Sequence, residues 1–242
     1  MRDYQTISKT YLDKIKKLSQ DSDLVNITQE LLKDGEPFFN HLDVKKIKLS
    51  LAEDRDFPII EKIVQVAYNW RYSNGTKSTA NSFQAIKDAP HTKTLVAKIK
   101  LNNKELILGT ARLVQSDNLE IFSFFTLPKD CLWPHQEKKL IPYEVERLAF
   151  HPLLDLENDL SFKMQILQKM FHFLQSLIKK PQQSWLGVTM RENVHHFVTA
   201  AGIDSQLIPH TKFVHNKMTK KFMKIHPRYF TEIAAYEIKI EQ

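Results

Sequence analysis

The chain has 242 residues, 42% hydrophobic, with a single cysteine, a formal charge of +7 and a pI near 9.3. That content can bury a core in one large domain or two small ones. A lone cysteine excludes an internal disulfide framework, and the lack of about 18 consecutive apolar residues excludes a membrane-spanning helix. The polar start MRDYQTISK lacks the apolar region of a signal peptide, so a cytoplasmic location is expected. The basic balance favours an anionic partner, whether nucleic acid, lipid or an acidic protein.

In chain order, Ser8 to Lys33 carries apolar Tyr11, Ile15, Leu18, Val25, Leu31 and Leu32 in a helix-favouring background that stops before Gly35, which predicts one or two helices. Val44 to Leu51 alternates apolar and polar residues, the period of a half-buried strand. A helix is expected from Asp56 to about Tyr72, with Pro58 in its first turn and Ile59, Ile60, Ile63, Val64, Val66, Ala67 and Trp70 forming its apolar face. Ser73 to Pro90 reads as a polar loop with a short helix near Phe83 to Ile86. Thr94 to Ile99 and Leu106 to Val114 form a hairpin across Asn102 and Asn103, and Leu119 to Thr126 extends the meander.

The strand 144–150 precedes a long helix, Leu160 to Ile178. Trp185 to Met190 is a further strand, and Glu192 to Ala201 a helix ended by Gly202. Lys212 to Asn216 and Tyr229 to Ile240 complete the β runs. The expected fold is an α/β domain over 44–242, its mostly antiparallel sheet flanked by helices, with residues 1–43 as an N-terminal helical extension.

The segment YEVERLAFHP, Tyr143 to Pro152, sets Glu144 and Arg147 three positions apart, and GTARL, Gly109 to Leu113, supplies Arg112. With this element order the chain resembles the GNAT superfamily, in its autoinducer-synthase-like and N-acyl amino acid synthase branch. The resemblance spans roughly 44–240 by element order and a few short patches by motif. It implies catalytic roles for the Glu-x-x-Arg pair Glu144 and Arg147 and for Arg112. It also implies substrate-binding roles for Arg71 of WRY, for Asp88 before the meander, and for the backbone of Leu148, Ala149 and Phe150 beside the pantetheine arm.

The chemistry asks for the same residue types. Moving an acyl group from a thioester to an amine needs a base, a polarised carbonyl and a slot for the donor arm. A carboxylate among Tyr143, Val145 and Phe150 has the surroundings for a raised pKa, and two arginines can hold an acceptor's carboxylate or orient the base. Positions i and i+3 of a regular strand face opposite sides, so Glu144 and Arg147 share one pocket only if the strand is bulged. Glu146 competes for the base role. The bland readings are a surface ion pair for Glu144 and Arg147, a helix-end cap for Arg71 and a turn former for Asp88.

The linker HPLLDLENDLSF has no glycine and carries Asp155, Glu157 and Asp159, a poor cradle for the pyrophosphate of CoA. An acyl carrier protein, presenting an acyl-phosphopantetheine and an acidic surface, suits lysines such as Lys138 and Lys139, Lys179 and Lys180, or Lys217, Lys220, Lys221 and Lys224. The tyrosine that often precedes the last GNAT helix glycine by four residues is replaced by Val198. No metal-ligand spacing occurs among the ten histidines, so no metal and no tightly bound cofactor is expected.

The expectation is an N-acyltransferase that moves a medium or long acyl group from acyl carrier protein, or less favourably from acyl-CoA, to the amine of an amino acid or related metabolite. The alternative is a catalytically silent binding module that uses its basic face on an acidic protein or anionic lipid. Dispersed lysines without aromatic platforms disfavour nucleic acid. The acyl-transfer reading requires the strands around 144–150 and 185–190 to part.

Overall fold

Asn102 and Asn103, at φ 46° and 66°, close a two-residue turn that folds strand β2 (Thr92–Leu101) back on β3 (Lys104–Gln115). Both central residues of such a turn need positive φ, which asparagine tolerates. The computed structural model describes residues 3–18, 22–72, 91–127, 141–156, 160–217, 219–220, 223 and 232–240. Around this hairpin lie helices α1 (Tyr4–Leu18), α2 (Ser22–Gly35) and α3 (Phe57–Tyr72) and strand β1 (Lys48–Leu51). After it come α4 (Glu120–Phe124), β4 (Phe125–Thr126), β5 (Ile141–Phe150), α5 (Leu153–Leu156) and α6 (Leu160–Ser176). The chain continues with β6 (Ser184–Arg191), α7 (Glu192–Ala200), β7 (Ser205–Leu207), β8 (Lys212–Phe213) and β9 (Ile233–Ile238).

Seven strands make one sheet in the order β1-β2-β3-β5-β6-β9-β7. Among the described residues only the β5–β6 pair is parallel, and α5 and α6 form the crossover that a parallel pair requires. One face of the sheet packs on α2 and α3 through Leu24, Leu31, Ile60, Ile63 and Val64 against Val96, Ile107 and Ala149. On the other face, α6 buries Ile166, Leu167, Met170, Phe171 and Leu174 against Leu95, Leu108, Ala111, Leu113 and Val145. Each such side chain contributes roughly 1.5–3 kcal/mol when fully buried.

The first 43 residues feed the same core. Leu32, Phe38 and Phe39 are buried in it, and the Tyr4 ring packs edge-on against Phe39 at 5.1 Å. Gly35 ends α2 beside His151: a Cβ there would lie 3.2 Å from the imidazole. His151 Nδ1 accepts the Leu153 N–H at 3.0 Å, which turns the chain out of β5. Burial holds that ring neutral, with its pKa down at about 3.

Three segments depart from the sequence expectation. The Asp43 side chain accepts the Lys45 N–H at 2.9 Å and caps a 3₁₀ turn over Val44–Lys46, so the first strand begins only at Lys48. Residues 119–126 do not extend the meander. Glu120–Phe124 is helical, and Phe125 pairs with Phe213 in a separate two-stranded ribbon, their rings edge-to-face at 5.8 Å. β7, too short for periodicity to announce, pairs with β9 and completes one sheet edge.

Candidate active site

The pairing of β5 with β3 changes register at one place. Arg112 opposes Glu146 and Thr110 opposes Ala149, so two residues, Arg147 and Leu148, face the single Ala111. Arg147 sits at φ 52°. This is a β-bulge with a non-glycine residue in the left-handed region, a conformation that costs about 1–2 kcal/mol. The bulge turns the strand so that Glu144, Glu146 and Arg147 all line one cleft.

The cleft exists because β5 and β6 separate. Their parallel rungs run from Ile141 opposite Ser184 to Val145 opposite Val188 and then stop among the described residues. Beyond that point Ala149 and Phe150 bond to β3, while Thr189, Met190 and Arg191 bond to β9. The gap holds a cavity of about 250 Å³. It is lined by the charged Glu120, Glu144, Glu146, Arg147 and Lys163 and by the apolar Leu148, Phe150, Phe171, Met190, Val194, Phe197 and Val198.

Three carboxylates and two guanidinium groups form one cluster around Glu144. Glu144, 1% exposed, accepts the backbone N–H of Ile121 at 3.0 Å, a donor presented by the first turn of α4. Glu146 takes Arg112 through Nε at 2.9 Å and through Nη2, both side chains being buried. Arg147 reaches Glu120 at 3.3 Å. Burial, followed by the negative charges of Glu146 and Glu120, pushes the Glu144 carboxyl well above the ordinary 4.5, against the Ile121 bond and Arg147. Glu146 also rises, mainly through burial and then Glu120, with Arg112 opposing. Because Arg112 serves Glu146 and Arg147 serves Glu120, Glu144 is the carboxylate of this group that rests on a main-chain donor.

Of the residues singled out in the sequence, Glu144, Arg147, Leu148, Ala149 and Phe150 line the cleft, and Arg112 reaches it through Glu146. Arg71 falls in the last turn of α3, with its side chain outside the described residues, as is all of Asp88. Glu146 earns its place by simple alternation, since positions 144 and 146 share a strand face. Glu120, Lys163 and Thr189 carried no sequence signal. Lys163 lines the cleft, 2.7 Å from Asp155, with its Nζ 5.0 Å from the Phe150 ring centroid. Thr189 faces the cleft from β6, its buried hydroxyl without a partner among the described residues.

A seven-stranded sheet that splits at its one parallel pair, with helices on both faces, defines a GNAT-type fold, and comparison with solved structures agrees. The chain is similar to FeeM, an N-acyl amino acid synthase from uncultured soil microbes, at 12% identity and TM-score 0.52, over 80% of this chain and 91% of that one. It also aligns with the CoA-dependent acyl-homoserine lactone synthase BjaI, at 13% identity and TM-score 0.44, over 85% and 80% of the two chains. An N-acetyltransferase from Staphylococcus aureus Mu50 aligns at 11% identity and TM-score 0.42, over 80% and 97%. No protein-family model matches the sequence. No curated protein matches it either.

Proposed function

We propose that the protein is an N-acyltransferase that moves a medium or long acyl group from a phosphopantetheine thioester to the amine of an amino acid or related small metabolite. The observation that carries this reading is the gap between β5 and β6 beyond Val145 and Val188, with the buried Glu144 at its closed end. Among the described residues no strand covers the β6 side of β5 beyond Val145, so main-chain groups at Leu148 to Phe150 suit the amides of an extended arm, and the apolar lining on the β6 and α7 side, Met190, Val194, Phe197 and Val198, suits an alkyl chain.

In this reading Glu144 takes a proton from the acceptor ammonium. The freed amine attacks the thioester carbonyl, a C–N bond forms as the C–S bond breaks, the departing thiolate takes a second proton from the attacking nitrogen, and Glu144 releases the first to solvent. A carboxyl with its pKa raised toward the operating pH suits both halves of that transfer. The Thr189 hydroxyl is a donor available to the polarised carbonyl. Arg147 and Arg112 hold Glu120 and Glu146 in place around the base.

Acyl carrier protein is the favoured donor, because the β5 to α6 linker has no glycine and carries acidic residues where a pyrophosphate would lie. Exposed Lys179, Lys180, Lys217 and Lys220 are available to its acidic surface. The test offers acyl carrier protein thioesters, acyl-CoA and mixed amines to the full chain and searches for amides by mass spectrometry. Amide formed from the carrier-protein thioester supports the reading; a folded protein that makes none from any donor overturns it.

A further inference from the structure

We propose that Lys163 anchors the phosphate of the donor arm and that Tyr11, on the N-terminal helix, is a positioning residue that fixes it through Asp155. The inference rests on the acyl-transfer reading of the cleft. Its basis is a continuous set of contacts. The Tyr11 hydroxyl donates to Asp155 Oδ2 at 2.9 Å, and Asp155 Oδ1 accepts Lys163 Nζ at 2.7 Å. The ammonium lies 5.0 Å from the centroid of Phe150, the last residue of the splayed strand. The Lys163 and Asp155 side chains are 12% and 18% exposed.

The placement of this lysine argues for a ligand. It lies close to the start of α6, where the helix dipole favours anions and disfavours a cation. Holding a lysine in one conformation also costs up to about 2 kcal/mol of side-chain entropy. An ammonium carries three N–H groups, so it can keep Asp155 and take a phosphate oxygen at once.

The position along the strand fits as well. Glu144 and Phe150 oppose Val114 and Gly109, five residues apart on β3, so the bulged strand spans on the order of 17 Å between them at about 3.3 Å per residue. They mark the two ends of an extended arm whose thioester lies beside the base and whose phosphate lies beside Lys163. The linker between β5 and α6, HPLLDLEND, has no glycine to bring main-chain amides close to that phosphate, so a side chain takes the part. Docking of α1 against Asp155 gives the N-terminal helix a direct bearing on the cleft. The phosphoryl group attached to the pantetheine is common to the carrier-borne arm, where it is a diester, and to CoA, where it begins the pyrophosphate.

The test compares binding of 4′-phosphopantetheine and of pantetheine to the full chain by calorimetry, which needs no turnover. The wild type should prefer the phosphorylated arm by at least about tenfold, the scale of one hydrogen bond between charged partners. Lys163→Met should reduce that preference to within about twofold, and Lys163→Arg should restore most of it. Tyr11→Phe should lower the preference several-fold with little change in melting temperature, a split that a merely structural tyrosine would not produce. A wild type with no preference, or a Lys163→Met protein that keeps it, overturns the proposal. Failure to form amide from any donor would sink the catalytic reading and leave this binding result intact. The natural source of the phosphate is then the donor, acyl carrier protein thioester or acyl-CoA, that the wild type uses at the higher kcat/KM.

Discussion

Glu144 accepts the main-chain N–H of Ile121 at 3.0 Å while lying 1% exposed between Glu120 and Glu146. One neutral donor does not balance a buried negative charge, so the native state holds a proton on this group over a pH range in which the unfolded chain has released it. Below the ordinary value of 4.5 the carboxyl is protonated in both states. As pH rises from there to the elevated native pKa, stability falls, and above that it stays reduced. Glu144→Gln keeps an acceptor for Ile121 and removes the charge. Thermal melts at pH 8 should show it more stable than wild type by at least about 2 °C, roughly 1 kcal/mol for a chain of this size, with the difference vanishing near pH 4.

Arg112 and Glu146 form a buried pair whose separation leaves a charge without its partner. Breaking such a pair from one side typically costs about 3–5 kcal/mol. Arg112→Met should therefore lower the denaturant midpoint sharply, and the double variant Arg112→Met with Glu146→Gln should recover much of the loss. A double variant no better than the single one would show that the guanidinium acts chiefly through other contacts.

Arg147 holds positive φ and bridges to Glu120. Replacing it separates backbone from side chain: Arg147→Gly relieves the left-handed strain, while Arg147→Val adds a β-branch that this region rejects. Melting should place the glycine variant near wild type and the valine variant at least about 1–2 kcal/mol below it. Both should lose activity, because Glu120 is then free to move against Glu144.

Gly187 opposes Glu144 across the parallel rungs, and a Cβ on Gly187 would lie 2.2 Å from the Trp185 ring. The ring edge occupies the space above the glycine on the sheet face that Glu144 shares, with its Nε1 donating to Glu237 at 3.3 Å. Gly187→Ala forces the indole outward and admits water beside the base. The expected results are a red-shifted tryptophan emission and a rate profile whose acidic limb moves to lower pH, as desolvation of Glu144 is relieved. An unmoved limb would mean that the indole does not shield the carboxyl.

Local patterns were enough to place most of the scaffold. Runs of β-favouring residues marked β2 and β3, a 3.6-residue period marked α3 and α6, Asn102 and Asn103 announced their turn, and Gly202, at φ 82°, marks the end of α7 as expected. What escaped depends on partners distant in sequence. Nothing in LEIFSFFT says helix until the Glu144 carboxylate captures the Ile121 N–H, and an arginine is a poor advertisement for the left-handed bulge that brings 144 and 147 to one side. Glu120 and Lys163 were illegible for the same reason, since their relevance comes from Arg147 and Asp155. Arg71 and Asp88 stay with the roles that the resemblance implies, their side chains outside the described residues.

The most direct measurement follows amide formation from an acyl carrier protein thioester by wild type and Glu144→Gln as a function of pH. The account predicts that wild-type kcat/KM rises with pH through the elevated Glu144 pKa and that the variant falls by about 10²–10⁴ while melting no lower than wild type. A variant that turns over at the wild-type rate with the same pH profile would contradict it.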